Sequence, residues 1–230
     1  MGHILAIGGH CGDMEFTCGA ILLKHAKAGH QITLLHLTPG EKGHPTLPPE
    51  EYAIQKRVEA DNAAKALGGK ALYLPYGDGE LPVNDEVKYQ VADIIREIKP
   101  TTIITHWKNS MHKDHANTHL IVKDAVFYAA IPGIKRALPH HGVKAIYYAE
   151  NWEDPVDFQP YVYVDVSDVF EEWVEAACHH KLFAGGVSKF PFKDYYKSLA
   201  VIRGSQIGVK YAVAMDIESM GKKKIMDFLP

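Results

Sequence analysis

The sequence predicts an α/β fold: a Rossmann-like, mostly parallel sheet with helices on both faces, a three-layer sandwich built as a single domain over residues 1-230. Three observations carry this. Short continuous apolar runs, ILAI at 4–7, QITLLHL at 31–37 and TTIIT at 101–105, read as strands buried on both faces. Segments with helical apolar spacing separate them, so the first half of the chain alternates β-α-β-α-β-α-β. A chain of 230 residues, 47% hydrophobic and 23% charged, is enough for one well-filled core and contains no repeat or low-complexity stretch.

Ile4 to Ile7 form the first strand and stop on Gly8-Gly9, where the backbone is free to turn; Thr17 to Ala28 follow as a helix that ends at Gly29-His30. Gln31 to Leu37 is the second strand, and Thr38 to Pro45 a loop dense in breakers. Pro48-Pro49-Glu50-Glu51 opens a helix to about Leu67, with an apolar stripe through Ala60, Ala63, Ala64 and Leu67 and a stop at Gly68-Gly69. Ala71 to Leu74 is the third strand. Asp85 then caps a helix through Val87, Val91, Ile94, Ile95 and Ile98 that Pro100 ends. Thr101 to Thr105 is the fourth strand, and the next helix continues to about Ala130. Lys144 to Ala149 and Tyr161 to Val166 read as strands, Val169 to His180 and Asp194 to Arg203 as helices, and Lys210 to Met215 as a last strand. Parallel strands place their carboxyl-terminal loops on one sheet edge, where open α/β sheets bind ligands.

A net charge of −3 gives no basic field for nucleic acid, and Lys222-Lys223-Lys224, the one charge run, reads as a solvated helix end. Cys11, Cys18 and Cys178 are odd in number and lack a C-x-x-C, which argues against a disulfide framework or a thiolate zinc site and for a reducing compartment. No apolar run reaches the ~20 residues of a membrane helix, and the first strand begins too early to leave room for a signal peptide. The expectation is a cytoplasmic protein with neither nucleic acid nor membrane as partner.

Two strand ends carry the chemistry. His10, Asp13 and Glu15 follow the first strand; His112, Asp114, His115 and, one turn on, His119 follow the fourth. Imidazole with carboxylate suits zinc or another divalent metal, and three protein ligands with an open position describe a catalytic site. Each segment alone has a plainer reading, the glycines as a dinucleotide-binding turn and the histidines as the exposed start of a capped helix. Their conjunction on one sheet edge favours the metal. A nucleotide fold would need G-x-G-x-x-G, and Gly8-Gly9-His10-Cys11-Gly12-Asp13 breaks that spacing and puts a carboxylate where pyrophosphate would lie.

In these motifs the chain resembles the PIG-L/LmbE-like zinc-dependent N-deacetylases, which carry H-P-D-D-x-E after the first strand and H-P-D-H at a later helix start. Here they stand as His10-Cys11-Gly12-Asp13-Met14-Glu15 and His112-Lys113-Asp114-His115. Thr38-x-Gly40-Glu41-x-Gly43, Lys56-x-x-Glu59 with Leu67-Gly68, and Asp78-Gly79-x-Leu81 look like the family's intervening signatures. The similarity covers roughly residues 3 to 130, and more loosely 165 to 180. It implies His10, Asp13 and His115 as zinc ligands, His112 as an imidazolium that stabilises the oxyanion or protonates the leaving amine, and Asp114 as its orienting partner. It also implies removal of an acyl group, acetyl first of all, from an amino sugar or related amide by a homo-oligomer. Three positions depart from the pattern. Gly12 replaces the Asp that serves the family as general base, a group worth about 10²- to 10⁴-fold in rate; Glu15 and Glu41 are the nearest replacements in sequence. Cys11 stands for proline, and His180-Lys181-Leu182-Phe183 for H-x-S-Q. Gly12 keeps a second reading open, a metal-binding but catalytically impaired homologue acting as a sensor or assembly component. Tyr76, Trp107, Tyr147 and Trp152 are candidates to face a sugar ring.

Overall fold

A computed structural model describes residues 1–154 and 156–223; Lys224, the last of the lysine run, lies outside the described residues. Strands β1 (His3–Gly8), β2 (Gln31–His36), β3 (Lys70–Tyr73), β4 (Thr102–His106), β5 (Ala145–Ala149), β6 (Val162–Asp165) and β7 (Ala212–Asp216) form a 7-stranded sheet in the order β3-β2-β1-β4-β5-β7-β6. β1 to β5 pair in parallel, and β7 runs antiparallel to both of its neighbours. The helices are α1 (Asp13–Thr17), α2 (Gly19–Lys27), α3 (Pro49–Ala66), α4 (Asp85–Ile98), α5 (Lys113–Ala130), α6 (Phe170–Ala177) and α7 (Phe192–Ile207).

The unbroken apolar runs are explained by burial on two sides. In β1, Ile4 and Ala6 enter the core shared with α2, α6 and α7, while Leu5 and Ile7 enter the one shared with α4 and α5. The three-layer α/β fold is thus as the sequence predicts. The chain winds outward from β1 through β2 to β3, then crosses back to lay β4 along the other side of β1. Strand order reverses between β1 and β4, so the loops leaving their carboxyl ends part and open a crevice.

The first helix differs from expectation. It begins at Asp13 and breaks at Cys18 (φ −131°, ψ 6°) before resuming at Gly19. In a continuous helix the Glu15 carbonyl would accept the Gly19 N–H; here it accepts the Trp173 indole N–H at 2.8 Å. A Cβ on Gly19 would lie 2.6 Å from that indole nitrogen, so the glycine admits the tryptophan that breaks the helix. At the other end of the chain, α7 runs beyond residues 194–203 at both ends and closes on Gly208 in a left-handed conformation (φ 77°).

Candidate metal centre

The turn after β1 is bound at almost every polar main-chain group. Gly9 N–H reaches His106 Nε2 at 3.0 Å, His10 N–H donates to Asp13 Oδ2 at 2.7 Å, and the His10 carbonyl faces His36 Nδ1 at 3.3 Å. The second loop packs directly on His10: a Cβ on Gly40, whose φ is +77°, would come within 2.9 Å of the His10 Cβ. From the far side of the crevice, the first turn of α5 brings in His115, which is 3% exposed.

Three donor atoms meet there. His10 Nδ1 is 3.1 Å from His115 Nε2 and 3.3 Å from Asp13 Oδ2, and His115 Nε2 is 3.3 Å from Asp13 Oδ2. Donors bound tetrahedrally to one zinc, each at about 2.0–2.1 Å, lie about 3.3 Å apart, so this donor set fits a single small cation. Burial opposes a charge on each group, but the neighbours prevail. The Asp13 carboxylate holds His10 well above its usual pKa and His115 at about 9, while His115 and His10 together hold Asp13 well below the carboxylate range. The same crevice contains further His and carboxylate groupings that could hold a metal, among them Asp13 with His106 and His115, and His10 with Asp78 and Asp114.

His112 stands at the N-cap of α5 with its ring centroid 4.5 Å from that of His10. Its Nδ1 accepts the Asp114 N–H at 3.2 Å, and its Nε2 lies 3.9 Å from Asp78 Oδ1. Burial and then the charges on His10 and His115 lower its pKa. The Asp114 carboxylate does not face His112. It is fully buried, accepts the Gly79 N–H at 2.6 Å and lies 3.4 Å from His10 Nε2, beside Asp78 Oδ1 at 3.2 Å from the same nitrogen. His119 sits apart, its Nδ1 on the His106 carbonyl at 3.1 Å.

The group missing at position 12 has no room in this backbone. Gly12 has φ +107°, and a Cβ there would lie 2.8 Å from the tip of the Phe16 ring. Both carboxylates nearest in sequence have other partners. Glu15 is 0% exposed, accepts the Gly12 N–H at 3.2 Å and sits 3.2 Å from His180 Nε2 and 3.4 Å from His36 Nε2. Glu41 accepts the Asp78 N–H at 2.9 Å. His180 is therefore a buried partner of Glu15.

The site opens into a cavity of about 250 Å³. Its lining includes His10, Asp13, His112 and His115 together with Phe16, Trp152, Phe192 and Tyr196. Of the four aromatics singled out above, Trp152 alone lines it. Trp107 is buried with its indole N–H on the Val156 carbonyl at 2.9 Å, the Tyr76 hydroxyl donates to Gln90, and Tyr147 packs on the core. Sequence reasoning passed over His106, whose Nε2 lies 3.0 Å from Asp13 Oδ2, although the last residue of a strand at the switch point is a signal in itself. It also passed over Asn151 and Glu153, which line the cavity from the loop after β5.

Residues 5–126 match the family model for PIG-L, GlcNAc-PI de-N-acetylase. Over 228 residues the chain is 27% identical to the diacetylchitobiose deacetylase of Thermococcus kodakarensis, covering 91% of this chain and 80% of that protein. It is 22% identical over 211 residues to 4-oxalmesaconate hydratase of Pseudomonas putida, covering 88% and 80% respectively. The crystal structure of the 4-carboxy-2-hydroxymuconate hydratase of Pseudomonas putida superposes over 100% of both chains with a TM-score of 0.87 at 19% identity, a likeness of fold. Among the described residues no helix is long and apolar enough to cross a membrane.

Proposed function

The chain belongs to the PIG-L family, and from that premise we propose that it is a zinc-dependent hydrolase removing an acetyl group from an N-acetylated amino sugar or a related small amide. The reading is carried by the mutual spacing of His10 Nδ1, Asp13 Oδ2 and His115 Nε2, 3.1 to 3.3 Å. When bound, zinc polarises the amide carbonyl and brings the pKa of its water towards ~7. His10, Asp13 and His115 would hold the ion. Because His112 Nδ1 accepts the Asp114 N–H, its proton rests on Nε2, from which it would donate towards the carbonyl oxygen as charge develops there. The Asp78 and Asp114 carboxylates lie 3.2 and 3.4 Å from the outer nitrogen of His10, placed to orient its ring. The relative named for diacetylchitobiose and the aromatic lining of the cavity support a sugar substrate. The free cysteines support a cytoplasmic location, and the family resemblance supports a homo-oligomer.

Acetate release from N-acetylglucosamine and diacetylchitobiose by the zinc-loaded protein tests the proposal. Release that disappears in His10→Ala supports it. A wild type that binds zinc yet releases no acetate from any N-acetylated sugar favours the metal-binding sensor or assembly component instead. The closed space above Gly12, with a hydratase among the relatives, favours one further reading: addition of water to the double bond of a small unsaturated oxo-acid. Loss of conjugated absorbance without acetate would identify that activity.

A further inference from the structure

His115 can bind a cation through Nε2 only when its ring proton is on Nδ1. Four polar groups surround that Nδ1. Asn151 Nδ2 lies 3.4 Å away, and because Asn151 Oδ1 accepts the Tyr196 hydroxyl at 2.6 Å, the end facing His115 is the amide nitrogen, which can only donate. Ser110 Oγ, at 3.3 Å, can donate or accept. Glu153 Oε2 at 3.2 Å and Asp154 Oδ1 at 4.0 Å accept when ionised, and only Glu153 is within direct reach. Its Oε2 is buried and has no hydrogen-bond partner among the described residues, so its contact with His115 Nδ1 is one of charge and proximity. Asn151 therefore favours the proton on Nε2, pointing at Asp13, where it would block a cation. Glu153 favours the proton on Nδ1.

We propose that Glu153, on the loop after β5, is a positioning residue that sets the tautomer of His115 and thereby makes Nε2 a ligand. The inference rests on the assignment of His10, Asp13 and His115 as the metal-holding groups. It places the decisive acceptor in a loop outside every motif of the sequence, from which it acts on the ion through His115.

The test is zinc affinity of the full chain by chelator competition, with the absorption spectrum of the cobalt(II) form as a readout of ligand geometry. Removing an outer-shell partner of a metal-binding histidine weakens binding by about 10- to 100-fold, the loss expected for Glu153→Ala. Glu153→Gln keeps an acceptor oxygen and should bind close to the wild type. Asn151→Ala added to Glu153→Ala should recover part of the loss, because the opposing donor is gone. Asn151→Asp, in an otherwise wild-type chain, should bind at least as tightly as the parent, which keeps the idea exposed should Glu153→Ala not fold. Unchanged affinity in Glu153→Ala, equal losses in the Ala and Gln variants, or weaker binding in Asn151→Asp would overturn it. If His10→Ala abolishes zinc binding while Glu153→Ala leaves it intact, the tautomer role falls and the ligand assignment stands; a wild type that binds no zinc removes both.

Discussion

Gly12 combines a left-handed backbone with a neighbour that fills the space above it. An alanine there would meet the Phe16 ring at 2.8 Å and hold φ +107°, a conformation that costs a non-glycine residue on the order of 1–3 kcal/mol. We expect Gly12→Ala to lose about that much in urea unfolding, and Gly12→Asp to be destabilised without any gain in acetate release. An aspartate variant as stable as the parent and faster would show that the turn adapts and that Phe16 is no obstacle. Glu15 fails differently, because its carboxylate is committed. Burial alone would raise its pKa, but His36 and His180 hold it below the usual value and so keep it ionised. Glu15→Gln should lower stability by about 1.5–3 kcal/mol, the worth of a buried hydrogen bond to a charged group. Calorimetry reads this, and a loss of rate with stability untouched would restore Glu15 as a base. His10, Asp13 and His115 were legible because short spacings and strand ends advertise them; the tie from Glu15 to His180 spans 165 positions and leaves no local mark.

At the level of elements, α4 and α5 were readable from their apolar spacing, but the loop between α5 and β5 was legible only as a break. Its order comes from Arg96 on α4, 2% exposed, whose guanidinium donates to the carbonyls of Tyr128, Ala129, Ile131, Ile134 and Leu138. Each buried carbonyl left unpaired costs about 1–3 kcal/mol, so Arg96→Ala should destabilise by several kcal/mol and expose residues 131–142 to early proteolytic cleavage. Cleavage of that loop no faster than in the parent would mean that other contacts hold it. On α5, burial lowers the pKa of His119 below its usual 6.5. As pH falls past 6.5 the unfolded chain binds this proton first, so the contribution of His119 is complete above 6.5 and is lost as pH falls through the folded-state value. The urea midpoint of His119→Gln should consequently change less between pH 8 and pH 5 than that of the wild type. Parallel slopes would mean that His119 charges without penalty in the fold. The break at Cys18 and the insertion of β7 between β5 and β6 were not legible, since each depends on a partner distant in sequence, Trp173 in one case and strand pairing in the other.

On the scale of the molecule, the reversal of strand order between β1 and β4 is what brings His10 and His115, 105 residues apart, to 3.1 Å. The alternation of elements made the sheet predictable, and with it the sharing of one edge by the two motifs; the register that sets ångström distances comes only from packing. Without a cation the convergent groups stabilise the fold as an ion-paired cluster. His115 titrates at about 9 in the folded chain against 6.5 unfolded, so its contribution is complete below 6.5 and is lost as pH rises through about 9. A cation reverses this dependence, because it displaces the proton and binds more readily as pH rises. A ligand at 100 times its Kd adds about 2.7 kcal/mol to stability. Chelator-treated protein should therefore lose thermal stability between pH 7 and 9, and zinc-loaded protein should not. Zinc titrations near pH 7.5, in buffers of different ionisation enthalpy, should show protons released on binding. Apo and zinc-loaded chains that melt alike across this range would mean that no ion links the two loops.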